Sequence, residues 1–177
     1  MLAFLSWTGN PGTVTAPPGW TLVKGNTQPA QGPAAAIYQA IAGASEPTTY
    51  TFAWTNAVGG GGATASYSQV SGTTPVSASV AGSPVLGSKT ATIPSVTTTG
   101  PYQRVIGFSA VNVAAGFGAA PAGWTVRTSS FGSNPNGGVV DRQVTNAGAS
   151  GTAGWTNNTG GSPNVVDSLS IAVALQP

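Results

Sequence analysis

Glu46, Asp141 and Asp167 are the entire acidic inventory of this 177-residue chain, which contains neither histidine nor cysteine. General acid–base catalysis needs a positioned pair of titratable groups, and glycoside hydrolysis needs two carboxylates flanking one bond. Asp141 with Asp167 is the only pair worth weighing for that work. Asp141 sits beside Arg142 and Asp167 follows Ser162-Pro163-Asn164, so solvated or locally hydrogen-bonded carboxylates are expected; Glu46, ahead of Pro47, reads as turn chemistry. A serine nucleophile would have no imidazole to activate it, and neither Lys24 nor Lys89 completes a Ser-x-x-Lys motif. Thiolate and imidazole metal sites and disulfides are excluded outright. The expectation is a non-enzymatic protein with no catalytic residues, no metal and no cofactor.

Other residues could bind without reacting. Gly59-Gly60-Gly61-Gly62 lacks the Lys-Ser/Thr that follows a phosphate cradle, so it reads as a flexible turn opening a strand. The positive residues Lys24, Lys89, Arg104, Arg127 and Arg142 are scattered, and the net charge of +2 reflects scarce acids. Nucleic acid is therefore not an expected partner. Charged residues make up 5% of the chain, against roughly 25% in ordinary soluble domains, which predicts a neutral, hydroxyl-rich surface. Such a surface with exposed rings would suit a glycan. Trp20 and Trp124, however, repeat one motif and are predicted to be core. Phe117, in Ala-Gly-Phe-Gly-Ala, and Phe131, in Ser-Ser-Phe-Gly-Ser, are predicted on loops, where a ring has reason to sit only if it contacts something. Both are contact candidates, for a protein partner ahead of a glycan.

A duplicated framework positions these residues. Ala16-Pro17-Pro18-Gly19-Trp20-Thr21-Leu22-Val23 returns as Ala120-Pro121-Ala122-Gly123-Trp124-Thr125-Val126-Arg127, and Leu2 and Ile106 keep the same offset of 104. Phe4 then aligns with Phe108 and Gly12 with Gly116. Further on, Ala42-Gly43-Ala44-Ser45 matches Ala147-Gly148-Ala149-Ser150, and Tyr50-Thr51 aligns with Trp155-Thr156. Apolar residues alternate: Tyr50, Phe52 and Trp54 share one face, as do Leu169, Ile171, Val173 and Leu175, the mark of half-buried strands. Gly, Pro, Asn and Ser clusters separate such runs. The reading is all-β: a two-layer antiparallel β-sandwich, jelly-roll-like, of two pseudo-repeated halves facing each other. It forms a single domain over residues 1–177, with half one at 1–75, linking strands at 76–99 and half two at 100–177.

Half two is preceded by the strand-like Lys89–Ile93, whereas half one begins at Met1, so its first strand is expected to leave an open edge that a neighbouring subunit could cover. Met1, Leu2, Phe4 and Trp7 are contact candidates on that ground. Met1–Trp7 lacks a basic flank and a long apolar run and matches the internal strand Val105–Val111, so no signal peptide is read there. No stretch is long enough to cross a bilayer, and a membrane is not an expected partner.

The run Leu-Ala-Phe-Leu-Ser-Trp-x-Gly-Asn-Pro-Gly-Thr-Val-Thr-x-Pro-x-Gly-Trp-Thr-Leu-Val, then Gly-Ala-Ser-Glu-Pro, Tyr67-Ser-Gln-Val-Ser-Gly and Ile93-Pro-Ser-Val-Thr, resembles a family of β-sandwich modules found in tailed-phage structural proteins and in bacterial surface or secreted proteins. Members of that family commonly carry an additional first strand and a Gly-Asp turn, both absent here. The resemblance implies a virion or surface role and transfers no catalytic motif. The expected function is a structural subunit of a phage virion, a capsid decoration or other exterior protein, multicopy, with itself, the major capsid protein or another virion protein as partner. The alternatives are a carbohydrate-binding or adhesion module, and a self-polymerising extracellular filament subunit.

Overall fold

A computed structural model describes residues 1–8, 13–27, 32–56, 59–158 and 166–177. Gly12 and the Ser162-Pro163-Asn164 turn lie outside the described residues. Half one contributes β1 (Leu2–Thr8), β2 (Val14–Thr15), β3 (Thr21–Thr27), β4 (Ala34–Gln39), β5 (Ala53–Trp54) and β6 (Gly59–Ala65). The linking strands are β7 (Val76–Ala81), β8 (Val85–Ser88), β9 (Thr90–Ile93) and β10 (Thr97–Thr98). Half two contributes β11 (Arg104–Val111), β12 (Thr125–Phe131), β13 (Asn136–Gln143), β14 (Gly148–Ala149), β15 (Ala153–Thr156) and β16 (Val166–Leu175).

The protein is an all-β fold of antiparallel sheets packed together, and each half builds its own layer. One sheet runs β3-β4-β1-β6; the other runs β12-β13-β11-β16-β7, with β8 also on β16. The duplication holds for the first three long strands of each sheet, β1, β3 and β4 against β11, β12 and β13. β3 slips register against β4 between Leu22 and Lys24, and β12 slips against β13 between Val126 and Thr128, the same place in each repeat. Ahead of each lies the same turn: Trp20 N–H donates to the Pro17 carbonyl at 3.2 Å and Trp124 N–H to that of Pro121 at 3.0 Å. Gly19 and Gly123 take φ of +86° and +77° there, the left-handed position of a type II turn. A Cβ at either glycine would meet nothing within 4 Å, so Gly19→Ala and Gly123→Ala carry the backbone penalty alone, about 1–2 kcal/mol each. Urea denaturation of the two variants should give equal losses; costs differing severalfold would mean that the two turns are not equivalent.

Between the layers, Leu2, Phe4 and Ile37 from one sheet meet Ile106, Phe108, Val139 and Ile171 from the other. The repeat-related Phe4 and Phe108 touch edge to face, centroids 5.6 Å apart, so the pseudo-twofold passes near this pair. Each such side chain, taken out of water, contributes about 1.5–3 kcal/mol.

Four expectations change. β1 is not an open edge: it lies between β4 and β6, paired along its length with both. Gly59–Gly62 is not a flexible turn but the first part of β6, opposite Leu5–Thr8. Glycine is needed because the β12–β13 connection comes so close: a Cβ on Gly59 would stand 2.5 Å from the Asn134 carbonyl oxygen, and one on Gly61 2.7 Å from the Gly132 Cα. Tyr50, Phe52 and Trp54 do share a face against the first half, but only Ala53–Trp54 is a strand. Finally, β16 is buried on both faces rather than half-buried, since Ser168, Ser170, Ala172 and Ala174 are covered as completely as Leu169, Ile171 and Val173.

Candidate functional site

The six contact candidates are built into the fold. The Met1 ammonium donates to the Ala40 carbonyl at 2.8 Å and the Ala40 N–H donates back to Met1 at 3.1 Å, which extends the β1–β4 ladder by one residue. Leu2 and Phe4 belong to the core between the sheets, and Trp7 is buried on the outer face of β1. Phe117 is 2% exposed and stacks on Trp155 with centroids 4.3 Å apart. Phe131 ends β12, half-buried, its ring 5.8 Å from that of Phe108. The expectation that the two Phe residues stand on loops as free contacts is therefore corrected. The glycines flanking Phe117 let the backbone reach β15: Gly118 N–H donates to Thr156 at 2.9 Å and Asn158 N–H to Gly116 at 2.8 Å. That pairing turns the ring inward. Trp20 and Trp124 are buried, at 6% and 8% exposure, as their repetition predicts.

The carboxylates are each engaged locally. Asp141 is fully buried on β13, yet its partner is not the neighbouring Arg142, because successive side chains on a strand point to opposite faces. Arg127 grips it bidentately, Nε at 2.7 Å and Nη2 at 2.9 Å, and Arg104 Nη1 lies at 3.2 Å. Arg142 instead lies over the Trp124 ring, 4.7 Å from its centroid, and donates to the Ser150 carbonyl. Asp167 accepts from the Gly87 N–H at 3.0 Å and from Asn112 Nδ2 at 3.4 Å. Glu46 accepts from the Gly43 N–H and the Tyr50 hydroxyl, the turn role its sequence context suggests.

Burial, and then the nearby Asp141 carboxylate, push the Tyr67 phenol well above its ordinary range, and burial also raises Tyr38. A phenol that holds its proton more tightly when folded stabilises the fold fully below the unfolded value near 10. That contribution is lost as the pH climbs above this value. Stability should therefore fall on the alkaline limb above about pH 10, and Tyr67→Phe should flatten that limb; an unchanged limb by denaturation at graded pH would refute the coupling.

The one surface on which the two halves differ most is their outer face. On β16 the outward residues Ser170 and Ala172 are buried; the residues at the same register on β6, Gly62 and Thr64, are exposed. In half two the cover is β9, which pairs with β15 and packs across β11 and β16. In half one a groove of about 500 Å³ lies over Gly62 and Thr64 of β6 beside Tyr50 and Phe52, while Ala3 and Leu5 of β1 are already buried in the cluster against which Tyr50, Phe52 and Trp54 pack. β5, whose Trp54 borders the groove, pairs with β2 on one edge; among the described residues no strand pairs with the other. The sequence reading placed the deficit on β1. The signal that locates it is an alignment of Gly60–Ala65 with Ser168–Val173, which the dissimilar fourth strands conceal.

Compared with protein-family models, curated proteins and solved structures, the chain matches none.

Proposed function

We propose that this protein is a non-enzymatic structural subunit of a phage virion, a capsid decoration or other exterior protein present in many copies. The observation that carries this reading is the exposed outward side of β6, Gly60, Gly62 and Thr64, in a sandwich whose equivalent strand β16 is covered on both faces. A surface of that kind is completed by docking rather than by turnover. The order of the Pro-x-Gly-Trp-Thr and Gly-Ala-Ser-Glu-Pro motifs supports a virion setting through the resemblance described above. The occupied carboxylates and the very low charge fit a protein that binds rather than reacts. The glycan-binding alternative has less support, since Leu22, Ile41, Leu86 and Tyr102 are the exposed large apolar side chains among the described residues, and only one is a ring. Partners are other copies of the chain, the major capsid protein or another virion protein.

An interface formed from this surface contains few ion pairs, so screening acts on little of it. Mass spectrometry of banded particles should find the chain in stoichiometric amounts, retained when washed from about 0.1 M to 1 M salt, a range over which the Debye length falls from about 10 Å to 3 Å. Absence from particles, or hydrolysis of a polysaccharide dependent on Asp141 or Asp167, would overturn the proposal.

A further inference from the structure

The end strand of a sheet leaves one row of backbone N–H and C=O groups unpaired, and folds commonly blunt that row with a charge, a proline or a bulge. Of the end strands of the two main sheets, all but one are blunted. β3 carries Lys24 and slips register there. β12 carries Arg127, slips register against β13, and its Ser129 carbonyl already accepts from the Phe117 N–H at 2.7 Å. β7 follows Pro75 and slips register between Val76 and Ala78. β6 has none of these devices: Gly59–Ala65 contains no charge and no proline and runs against β1 without a slip.

The ladder tells which groups of β6 are left over. Met1 and Ala40 exchange both backbone bonds, so the alternation of an antiparallel pair turns Ala3, Leu5 and Trp7 toward β4 and Leu2, Phe4, Ser6 and Thr8 toward β6. Their partners there are Ala65, Ala63, Gly61 and Gly59. The N–H and C=O groups of Gly60, Gly62 and Thr64 therefore point away from the sheet, and the same residues are the exposed ones of the strand. In half two the corresponding strand, β16, carries β7 antiparallel on that edge; among the described residues no strand pairs with that edge in half one.

We infer that β6 is a self-association edge: two copies of this chain join antiparallel through β6, about a two-fold axis, so that the sheets of their first halves become one. The charge pattern selects a second copy as the occupant. A two-fold axis sets a patch against itself, so a charged residue beside the axis meets its like. Residues 47–88, with β6 in their midst, contain no Asp, Glu, Lys or Arg. An edge that selects an unlike chain ordinarily does so with complementary charge, and this one has none to offer. With the axis at Gly62, Gly62 exchanges bonds with its own copy and Gly60 with Thr64, so no two side chains collide across the pair. This contact deepens the reading of the chain as a multicopy assembly subunit and rests on it for its biological meaning.

Sedimentation equilibrium of the full chain from about 1 μM to 1 mM should show monomer passing into dimer. Residue-resolved hydrogen exchange should find the amides of Gly60, Gly62 and Thr64 fast in dilute samples and slowed in concentrated ones. Those of Gly61 and Ala63, opposite Ser6 and Phe4, should be slow in both. Thr64→Pro removes an N–H that the ladder leaves unpaired, and should weaken the dimer at least about tenfold. Thr64→Lys, at the same exposed position, should weaken it too, as a charge on an edge does. A chain monomeric throughout, a dimer indifferent to both variants, or amides of Gly60, Gly62 and Thr64 already slow in the monomer would each overturn the inference. Protection of these amides only in assembled particles, with the purified chain monomeric, would assign the edge to a different protein and overturn it equally. Because the association is measured on purified chain, its failure would remove the self-pairing while leaving the composition of virions to decide the broader proposal.

Discussion

Trp155→Ala is expected to cost about 3–5 kcal/mol, among the largest losses of any single substitution in this chain. The ring is 0% exposed, stacks on Phe117 at 4.3 Å and donates Nε1 to the Gly118 carbonyl at 3.1 Å. Removing it leaves a cavity between β15 and the sheet beneath, takes the support from Phe117 and leaves the part-buried Gly118 carbonyl without its donor. The pseudo-repeat supplies the comparison. Tyr50, the residue aligned with Trp155 in sequence, lies outside any strand, half-buried, with its ring edge-on to Trp20 at 5.0 Å. Tyr50→Ala should therefore cost less than about 2 kcal/mol. Equilibrium urea unfolding of both variants measures the difference; equal losses would mean that half one is as tightly covered as half two.

Asp141→Ala should cost about 3 kcal/mol, at the lower end of what breaking a buried ion pair costs. The carboxylate is 1% exposed, whereas Arg104 and Arg127 retain 35% and 44% side-chain exposure, so both cations can turn toward water once their partner is gone. The two arginines should rank unequally. Arg127 makes two short contacts and Arg104 one longer one, so Arg127→Met should cost roughly 1–2 kcal/mol and Arg104→Met less than about 1 kcal/mol. Asp141→Ala should also lower the Tyr67 phenol toward its ordinary value, though only in part, because burial is the larger cause of its displacement. Chemical denaturation with an ultraviolet titration reads both effects. A loss below about 1 kcal/mol would show the cluster to be a surface pairing.

The layered all-β architecture was legible because it is written in two local signals, strict alternation and a motif that recurs at fixed spacing. Pro-x-Gly-Trp located a turn, a buried ring and a strand start in each half, whereas Phe4, aligned with Phe108 but read as a contact candidate, proves to meet Phe108 in the core. What was not legible depended on residues distant in the chain. Phe117 has the local look of a loop tip, and only the approach of β15, some forty residues later, buries it. Four glycines in a row look like freedom; here they answer the near contact of Gly132 and Asn134. Asp141 beside Arg142 looks like an ion pair, yet strand alternation sends the two side chains to opposite faces. The groove escaped notice for the same reason: it is defined by what half two has there, and the two fourth strands share pattern but not residues.

The place of β16 bears on how the chain is made. This strand, Val166–Leu175, is inserted between β11 and β7, pairing with both, although it follows each of them in the chain. On a ribosome, the four strands of the first sheet emerge by Ala65, but their inward residues Leu2, Phe4 and Ile37 have no lid until the second sheet exists. That second sheet stays split, β7 on one side and β11 to β13 on the other, until the final strand arrives to join them. The pairing of β16 with β11, β7 and β8 and the closing of the core between the sheets are thus deferred until residues 166–175 are made, a slow, non-local closure during which a long apolar face needs shielding. A nascent chain cut short before Val166 keeps most of its strands and loses the one that ties them together, so a repeat that reads as divisible on paper is indivisible in the making.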